Sequence, residues 1–172
     1  MAGCQEISML IEGEGRMLKE VEGYLSILKD LRGQVKILSQ GLSQPALDWQ
    51  PIKAEGDLAT NSIGALIAHL AGSENFWIKE IIGGQPIQRN RDAEFVSKGM
   101  GAPELIARLD ASAGDTERIL PPLTSANLEE TRKNRDRTVT VRWAILHVIE
   151  HTAMHVGHMQ LTRQLWAHQY GK

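Results

Sequence analysis

The sequence is poor in cysteine, in tyrosine and phenylalanine, and in long apolar runs: its 172 residues include one Cys, two Tyr and two Phe. Because Cys4 is the only thiol, no intrachain disulfide can form, and we expect a reducing compartment, namely the cytoplasm. Glu6 and Glu12 interrupt the first apolar residues, so we expect no secretory signal. The uncharged stretches are shorter than the ~20 apolar residues that a membrane-spanning helix requires, so we expect no membrane partner.

Charge of one sign is also lacking, because 19 Lys and Arg residues nearly balance 21 Asp and Glu residues. A net charge of -2 provides no field that would draw the chain onto nucleic acid, so we expect no nucleic-acid partner. The basic segment 132–137 lies beside Glu129 and Glu130, which is typical of a solvated turn. The sequence motifs of zinc proteases, di-iron carboxylate bundles, phosphate loops, serine hydrolases and Cys-x-x-Cys proteins are absent.

Hydrophobic residues recur every three or four positions in four segments, which predicts four amphipathic α-helices. The first segment spans residues 7–40 and the second follows a capping Asn61 or Ser62 and ends at residues 83–84. The third begins at Pro103, and the fourth follows a capping Thr140 and ends near Ala167. A short extended pair is expected around residues 138–141.

The connections between these segments predict the topology. Residues 85–101 form a polar crossing that is long enough for a crossover rather than a tight hairpin. The pattern indicates one domain, residues 1–172, folded as an all-α four-helix bundle with a long crossover connection. We expect Trp49 to cover one end of this bundle. Glu74 falls on the apolar side of the second helix, where a carboxylate is costly unless it meets a cation or a hydrogen-bond donor. We expect instead an edge position, where the carboxylate of Glu74 reaches solvent.

The fourth predicted helix carries the strongest chemical signal, because four of the six histidines fall within residues 147–158. Side chains four positions apart in an α-helix are only about 40° apart around its axis. These histidines therefore project from one side as a ladder, which consists of His147, His151, His155 and His158. Two neutral imidazoles one turn apart on a rigid helix can share one divalent transition-metal ion. The alternative is a stripe of core or surface histidines without a metal.

A third ligand must come from outside the ladder, because a reactive zinc site commonly has three protein ligands and one open position. Only His69 and His168 remain. His168 lies near the end of the last helix, whereas His69 lies within the second helix among hydrophobic neighbours. Elimination and geometry therefore predict a metal site of His69, His151 and His155, with the other two ladder histidines beside it.

Several segments resemble the DinB/YfiT-like metalloprotein superfamily. They are Leu-Asp-Trp at 47–49, residues 62–71 around His69, Trp77, and residues 141–158 with the ladder. The resemblance covers most of the chain. It implies a four-helix bundle with a long crossover, whose divalent metal is held by three histidines that map to His69, His151 and His155. Many relatives have Gln where this chain has His158.

The resemblance also implies a thiol-dependent activity. Characterised branches include S-transferases that use bacillithiol, mycothiol or glutathione and a thiol-dependent maleylpyruvate isomerase, and many members look like homodimers. We therefore expect a small-molecule thiol and an electrophile as partners, and a homodimer. His147, His158 or Glu74 would orient a ligand imidazole or move a proton. Arg163 would meet a carboxylate of the thiol, the alternative being a solvated arginine.

Three neutral imidazoles leave at least one position of the ion open, which permits more than one function. A thiol entering that position would lose its proton and become a nucleophile. Water in the same position would support hydrolysis of a small ester or amide. A fourth protein ligand would instead make the bundle a non-catalytic metal-binding protein. We expect zinc or nickel first, and three imidazoles also accept iron, manganese or cobalt.

Overall fold

The computed structural model describes residues 16–54, 56–134 and 137–171, and within them the predicted all-α four-helix bundle is confirmed. No helix in these ranges combines the length and the apolar character needed to cross a membrane. Cys4 and residues 7–15 of the predicted first helix lie outside the described residues. The elements in chain order are α1 (Lys19–Ser39), α2 (Gln44–Leu47), a 3₁₀ turn (Gly56–Leu58), α3 (Ile63–Glu74), a π-helix (Asn75–Ile82), α4 (Arg91–Phe95), α5 (Ala102–Ile119), α6 (Ser125–Glu129), β1 (Thr131–Asn134), β2 (Arg137–Thr140) and α7 (Val141–Tyr170).

The boundaries of the long helices follow local capping chemistry. The hydroxyl of Ser62 accepts a hydrogen bond from the Ala65 amide at 3.2 Å, and Thr140 caps α7 in the same way. Pro103 lies in the first turn of α5, where its missing N–H has no partner to lose. These three predicted starts are confirmed. The first helix begins at Lys19, so residues 16–18, which were predicted to be helical, precede it.

Helices α1 and α7 run parallel. Arg142, in the first turn of α7, donates to the Glu20 carboxylate at 2.7 Å, near the start of α1. Arg163, towards the end of α7, donates to the Leu38 carbonyl at 2.7 Å, near the end of α1. The two contacts therefore join like ends of the two helices.

Helices α3 and α5 also run parallel, and this requires the crossover. The hydroxyl of Ser112 donates to the Ala71 carbonyl at 2.9 Å, and one turn later Thr116 donates to Glu74 at 2.6 Å. Two parallel neighbours can be joined only by a chain that returns along the bundle. The predicted crossover is confirmed, although it contains the unpredicted helix α4.

The hydrophobic stripes predicted from periodicity form the core. Their largest fully buried members come from the four long helices and from the π-helix. They include Leu28, Ile63, Leu66, Ile67, Leu70, Ile78, Leu105, Leu109 and Ile145. Trp49 is half-buried at the far end of α7, edge-on to Trp166 at 5.6 Å and to Tyr170 at 6.1 Å, as expected for a residue that covers one end.

The predicted solvent-exposed edge position of Glu74 is wrong. Glu74 is only 2% exposed, and its carboxylate accepts hydrogen bonds from Arg32 and Thr116, each at 2.6 Å. Burial raises the pKa of Glu74, while Arg32 and Thr116 oppose that shift because they stabilise the ionised form. The sequence pattern placed Glu74 on the apolar side of its helix, but the cation that pairs with it lies 42 positions away, on α1.

We expect Arg32→Met to lower the free energy of unfolding by about 3 kcal/mol, because it leaves the Glu74 carboxylate buried without its cation. Lys36→Met is the matched control, since Lys36 pairs with Asp110 at 2.6 Å on the surface, where such pairs contribute about 0–1 kcal/mol. Urea unfolding of both variants measures the difference. Equal losses would show that the buried pair has no special role in stability.

Candidate metal centre

Three of the predicted site histidines meet between α3 and α7. His69 Nε2 lies 3.0 Å from His151 Nε2, which in turn lies 3.2 Å from His155 Nε2. The nitrogens that face the centre are all within 4.8 Å of one another. His69 and His155 are buried and His151 is half-buried. The predicted convergence is confirmed, whereas the role of these side chains as metal ligands stays a prediction.

The chemistry of this donor set fits a divalent transition metal. Two nitrogens that bind one ion at ~2.1 Å with a tetrahedral angle are about 3.4 Å apart, which is close to the two distances observed here. Hydrogen bonds cannot satisfy the cluster equally well, because one N–H at His151 Nε2 can point to only one of its two neighbours. A single cation would satisfy every lone pair that faces the centre.

The protonation state of the cluster also suits a metal. Burial, together with the charge that the adjacent histidines would carry, lowers the pKa of His151 to about 3. Burial and repulsion from His69 and His158 lower the pKa of His155 to about 4. Both rings are therefore neutral near pH 7, and neutral imidazole is the form that binds metal ions.

Two residues that the sequence analysis did not assign to the site lie directly behind His69. Its Nδ1 is 2.9 Å from Glu94 Oε2, and Arg89 donates to both oxygens of Glu94 at 2.7 and 2.9 Å. Burial alone would raise the pKa of Glu94, but the hydrogen bonds from Arg89 and His69 lower it overall, so the carboxylate is ionised. No periodic pattern marks these residues, because both belong to the polar crossing.

The two flanking ladder histidines have different surroundings. His147 stacks on Trp143 at 4.9 Å with an interplanar angle of 8°, and its edge meets Trp77 at 5.1 Å. Burial lowers the pKa of His147. His158 is exposed, and its Nδ1 lies 3.4 Å from His155 Nδ1, the nitrogen that points away from the cluster.

A cavity of about 1080 Å³ opens beside the cluster. His69, His151 and His147 reach its surface from the two helices. The π-helix widens the turn that follows α3 and contributes much of the apolar wall; π-helices are rare and often lie at functional sites. The apolar lining residues are Phe76, Trp77, Ile81 and Ile87. The crossover adds Arg91, and the hairpin, which the antiparallel strands β1 and β2 form, adds Lys133.

Two further residues that the sequence analysis proposed for the site, Glu74 and Arg163, do not contact the cluster. Glu74 is five residues from His69, about 140° around an α-helix, and its carboxylate bonds to Arg32 and Thr116 rather than to the cluster. Arg163 donates to the carbonyls of Ile37 and Leu38 at 2.8 and 2.7 Å. Its guanidinium therefore satisfies the last carbonyls of α1, which corrects its assignment to a thiol carboxylate.

The sequence model of the mycothiol-S-transferase family matches residues 24–167, and this range contains all the histidines of the cluster. The chain belongs to this family. It is thereby a member of the DinB/YfiT-like superfamily. No curated protein gives a significant match to the chain.

Several solved structures share the fold of this family member. A conserved protein from Enterococcus faecalis is 16% identical with a TM-score of 0.71, covering 86% of this chain and 97% of its own. A DinB-like protein from Bacillus subtilis is 19% identical with a TM-score of 0.61, covering 83% and 90%. YfiT from Bacillus subtilis, described as a probable metal-dependent hydrolase with an unusual four-helix bundle topology, is 16% identical with a TM-score of 0.63, covering 92% and 93%.

We expect the metal-free protein to lose stability as the pH is lowered from 6.5 towards 5. The unfolded chain takes up protons at His151 and His155 near their ordinary pKa of 6.5, whereas the folded protein keeps His151 neutral down to about pH 3 and His155 neutral down to about pH 4. Because the unfolded state binds more protons in this window, the free energy of unfolding rises with pH. Urea unfolding at several pH values measures the slope.

The control for this pH dependence is the double variant His151→Gln, His155→Gln. Without the two rings, the free energy of unfolding should change much less between pH 6.5 and 5. An unchanged slope in the double variant would mean that other groups cause the effect.

Proposed function

We propose that the chain binds one divalent transition-metal ion through His69, His151 and His155 and uses it to activate a low-molecular-weight thiol. Transfer of that thiol to a small electrophile would make the protein a metal-dependent thiol S-transferase. The observation that supports this proposal most directly is the approach of three imidazole nitrogens to within 4.8 Å of one another beside a large cavity. Membership of the mycothiol-S-transferase family supports mycothiol as the first thiol to test, before bacillithiol and glutathione.

The protein's own residues would bind and orient the reactants. When bound, a divalent ion would supply positive charge that lowers the pKa of a thiol entering its remaining position. Phe76, Trp77 and Ile81 provide an apolar wall for the electrophile and exclude water from it. Arg91 and Lys133 line the same cavity and offer donors to polar groups of the thiol.

His147 is the residue that we propose to accept the proton of the thiol. Its ring is held between Trp143 and Trp77, it lines the cavity, and its nitrogens have no hydrogen-bond partner among the described residues. Since burial lowers its pKa, the ring is neutral near pH 7 and has a lone pair available. His158, through its contact with His155, would orient the His155 ring.

The identity of the metal and the reaction class belong to the same proposal. We propose zinc or nickel, with iron, manganese and cobalt as the alternatives to be tested, because three imidazoles accept all of these ions. With water in place of the thiol, the same site would be that of a hydrolase, and the structurally similar YfiT is described as a probable metal-dependent hydrolase. A metal without either activity would make the protein a non-catalytic metal-binding bundle.

We expect one equivalent of metal per chain in the purified protein, measured by elemental analysis. His69→Ala, His151→Ala and His155→Ala should each lower the affinity at least about tenfold, because each removes one of three ligands. His168→Ala is the matched control, since His168 is exposed near the end of α7. Metal retained by all three site variants would contradict the proposed ligand set.

The same preparation tests the reaction class. The metal-loaded protein is incubated with a chromogenic electrophile in the presence of mycothiol, bacillithiol or glutathione, and without thiol. Thiol-dependent product formation that disappears with the metal is the expected result. Turnover of an ester without thiol would favour the hydrolase, and a metal-free His151→Ala protein that no longer folds would indicate a structural ion.

We also propose that the chain forms a homodimer through an apolar stripe on α7. Its exposed members are Leu146, Met154, Leu161 and Leu165, which fall within about 100° of the helix circumference. An exposed apolar stripe of this kind is typical of a protein interface. We expect Leu161→Glu to give a monomer in sedimentation analysis and Leu58→Glu, at an exposed leucine outside the stripe, to leave the dimer intact. A monomeric wild-type protein would contradict the proposal.

A further inference from the structure

We propose that Glu94 is a positioning residue, which acts through His69 to prepare the metal centre and is itself held by Arg89. This inference rests on the proposed metal site and concerns the crossover that leads to α5. Glu94 lies on α4, within the crossover, and its side chain is 11% exposed. The crossover thus brings a largely buried carboxylate to the side of the His69 ring that faces away from the cluster.

The first step is the choice of tautomer at His69. A carboxylate can only accept hydrogen bonds, so the 2.9 Å contact between Glu94 Oε2 and His69 Nδ1 requires the proton on Nδ1. The lone pair of His69 is then on Nε2, the nitrogen that lies 3.0 Å from His151 Nε2. Without Glu94 the proton could occupy Nε2, where it would point into the cluster and oppose a cation.

The second step is the orientation of the carboxylate. Arg89 Nε donates to Glu94 Oε1 at 2.7 Å and its terminal nitrogen donates to Oε2 at 2.9 Å, so both oxygens are fixed by one planar group. The guanidinium in turn lies 5.5 Å over the Phe76 ring in the cavity wall. The series Arg89, Glu94, His69 therefore connects the cavity wall to the cluster.

The third step is the space that Gly72 provides. A Cβ atom at Gly72, one turn after His69, would fall on the carboxylate of Glu94. Because this carboxylate is the end of a flexible side chain, Ala at position 72 would displace it without disturbing the backbone. Among the described residues, His69 is the one cluster histidine with a carboxylate on its outer nitrogen, since His155 meets His158 there.

The test measures the affinity of Zn²⁺ by competition with a chromophoric chelator, which needs no enzymatic assay. Glu94→Gln should weaken the affinity by about tenfold to a hundredfold, because the neutral amide no longer fixes the tautomer of His69. Glu104→Gln is the matched control: Glu104 is an exposed carboxylate that pairs with Arg108 at 3.0 Å on α5, and its loss should change the affinity by less than about twofold.

A second pair of variants avoids any change of charge. Gly72→Ala should weaken Zn²⁺ binding in the same direction as Glu94→Gln. Gly114→Ala, at a helical glycine with nothing within 4 Å of its would-be Cβ, should leave the affinity unchanged. Circular dichroism of the metal-free proteins establishes that each variant folds.

A double-mutant cycle separates positioning from a general structural role. In a His69→Ala background, Glu94→Gln should change the remaining Zn²⁺ affinity by less than about twofold, because the side chain through which Glu94 acts is gone. An equal loss in both backgrounds would overturn the inference. A wild-type protein that binds no Zn²⁺ would defeat the proposed function itself, whereas tight binding by both the wild type and Glu94→Gln would defeat only the role of Glu94.

Discussion

The contact between antiparallel helices α3 and α7 is the constraint on which the rest of the structure depends. His69 can meet His151 and His155 only if one turn of α3 lies level with two turns of α7. The contact of Trp77 with Trp143 and His147 continues the same register. Trp77 lies eight residues after His69, and its two partners on α7 lie eight residues before His151 and His155. Burial at this interface keeps His151 and His155 neutral, so packing and the protonation state of these two rings have one cause.

The features that could be predicted from sequence are those whose information is local. The ladder on α7 follows from four-residue spacing, and the caps Ser62 and Thr140 follow from the residue type before an apolar run. His69 could be found because few histidines exist outside the ladder. The contact of His69 with the ladder depends on tertiary packing. The elimination of other histidines predicted this contact correctly but gave no distance.

The features that could not be predicted depend on partners that are distant in sequence. Glu94 and His69 are 25 positions apart, and Glu74 and Arg32 are 42 apart, so no local pattern connects them. Periodicity identified Glu74 as unusual but assigned it to solvent, since a single sequence gives no sign of the arginine on α1. The π-helix was also missed, because its residues continue an apolar pattern that an α-helix would show equally well.

The parallel arrangement of α1 and α7 has a practical consequence for handling the protein. The hairpin, the cavity and the start of α1 lie towards the same end of the bundle, because His147 lines the cavity close to the beginning of α7. Tyr170, the last residue of α7, lies about 35 Å from His147 along the helix axis. A surface attachment or a fluorescent label placed at that end would therefore be remote from the cavity, whereas a bulky fusion joined near the start of α1 would be close to it.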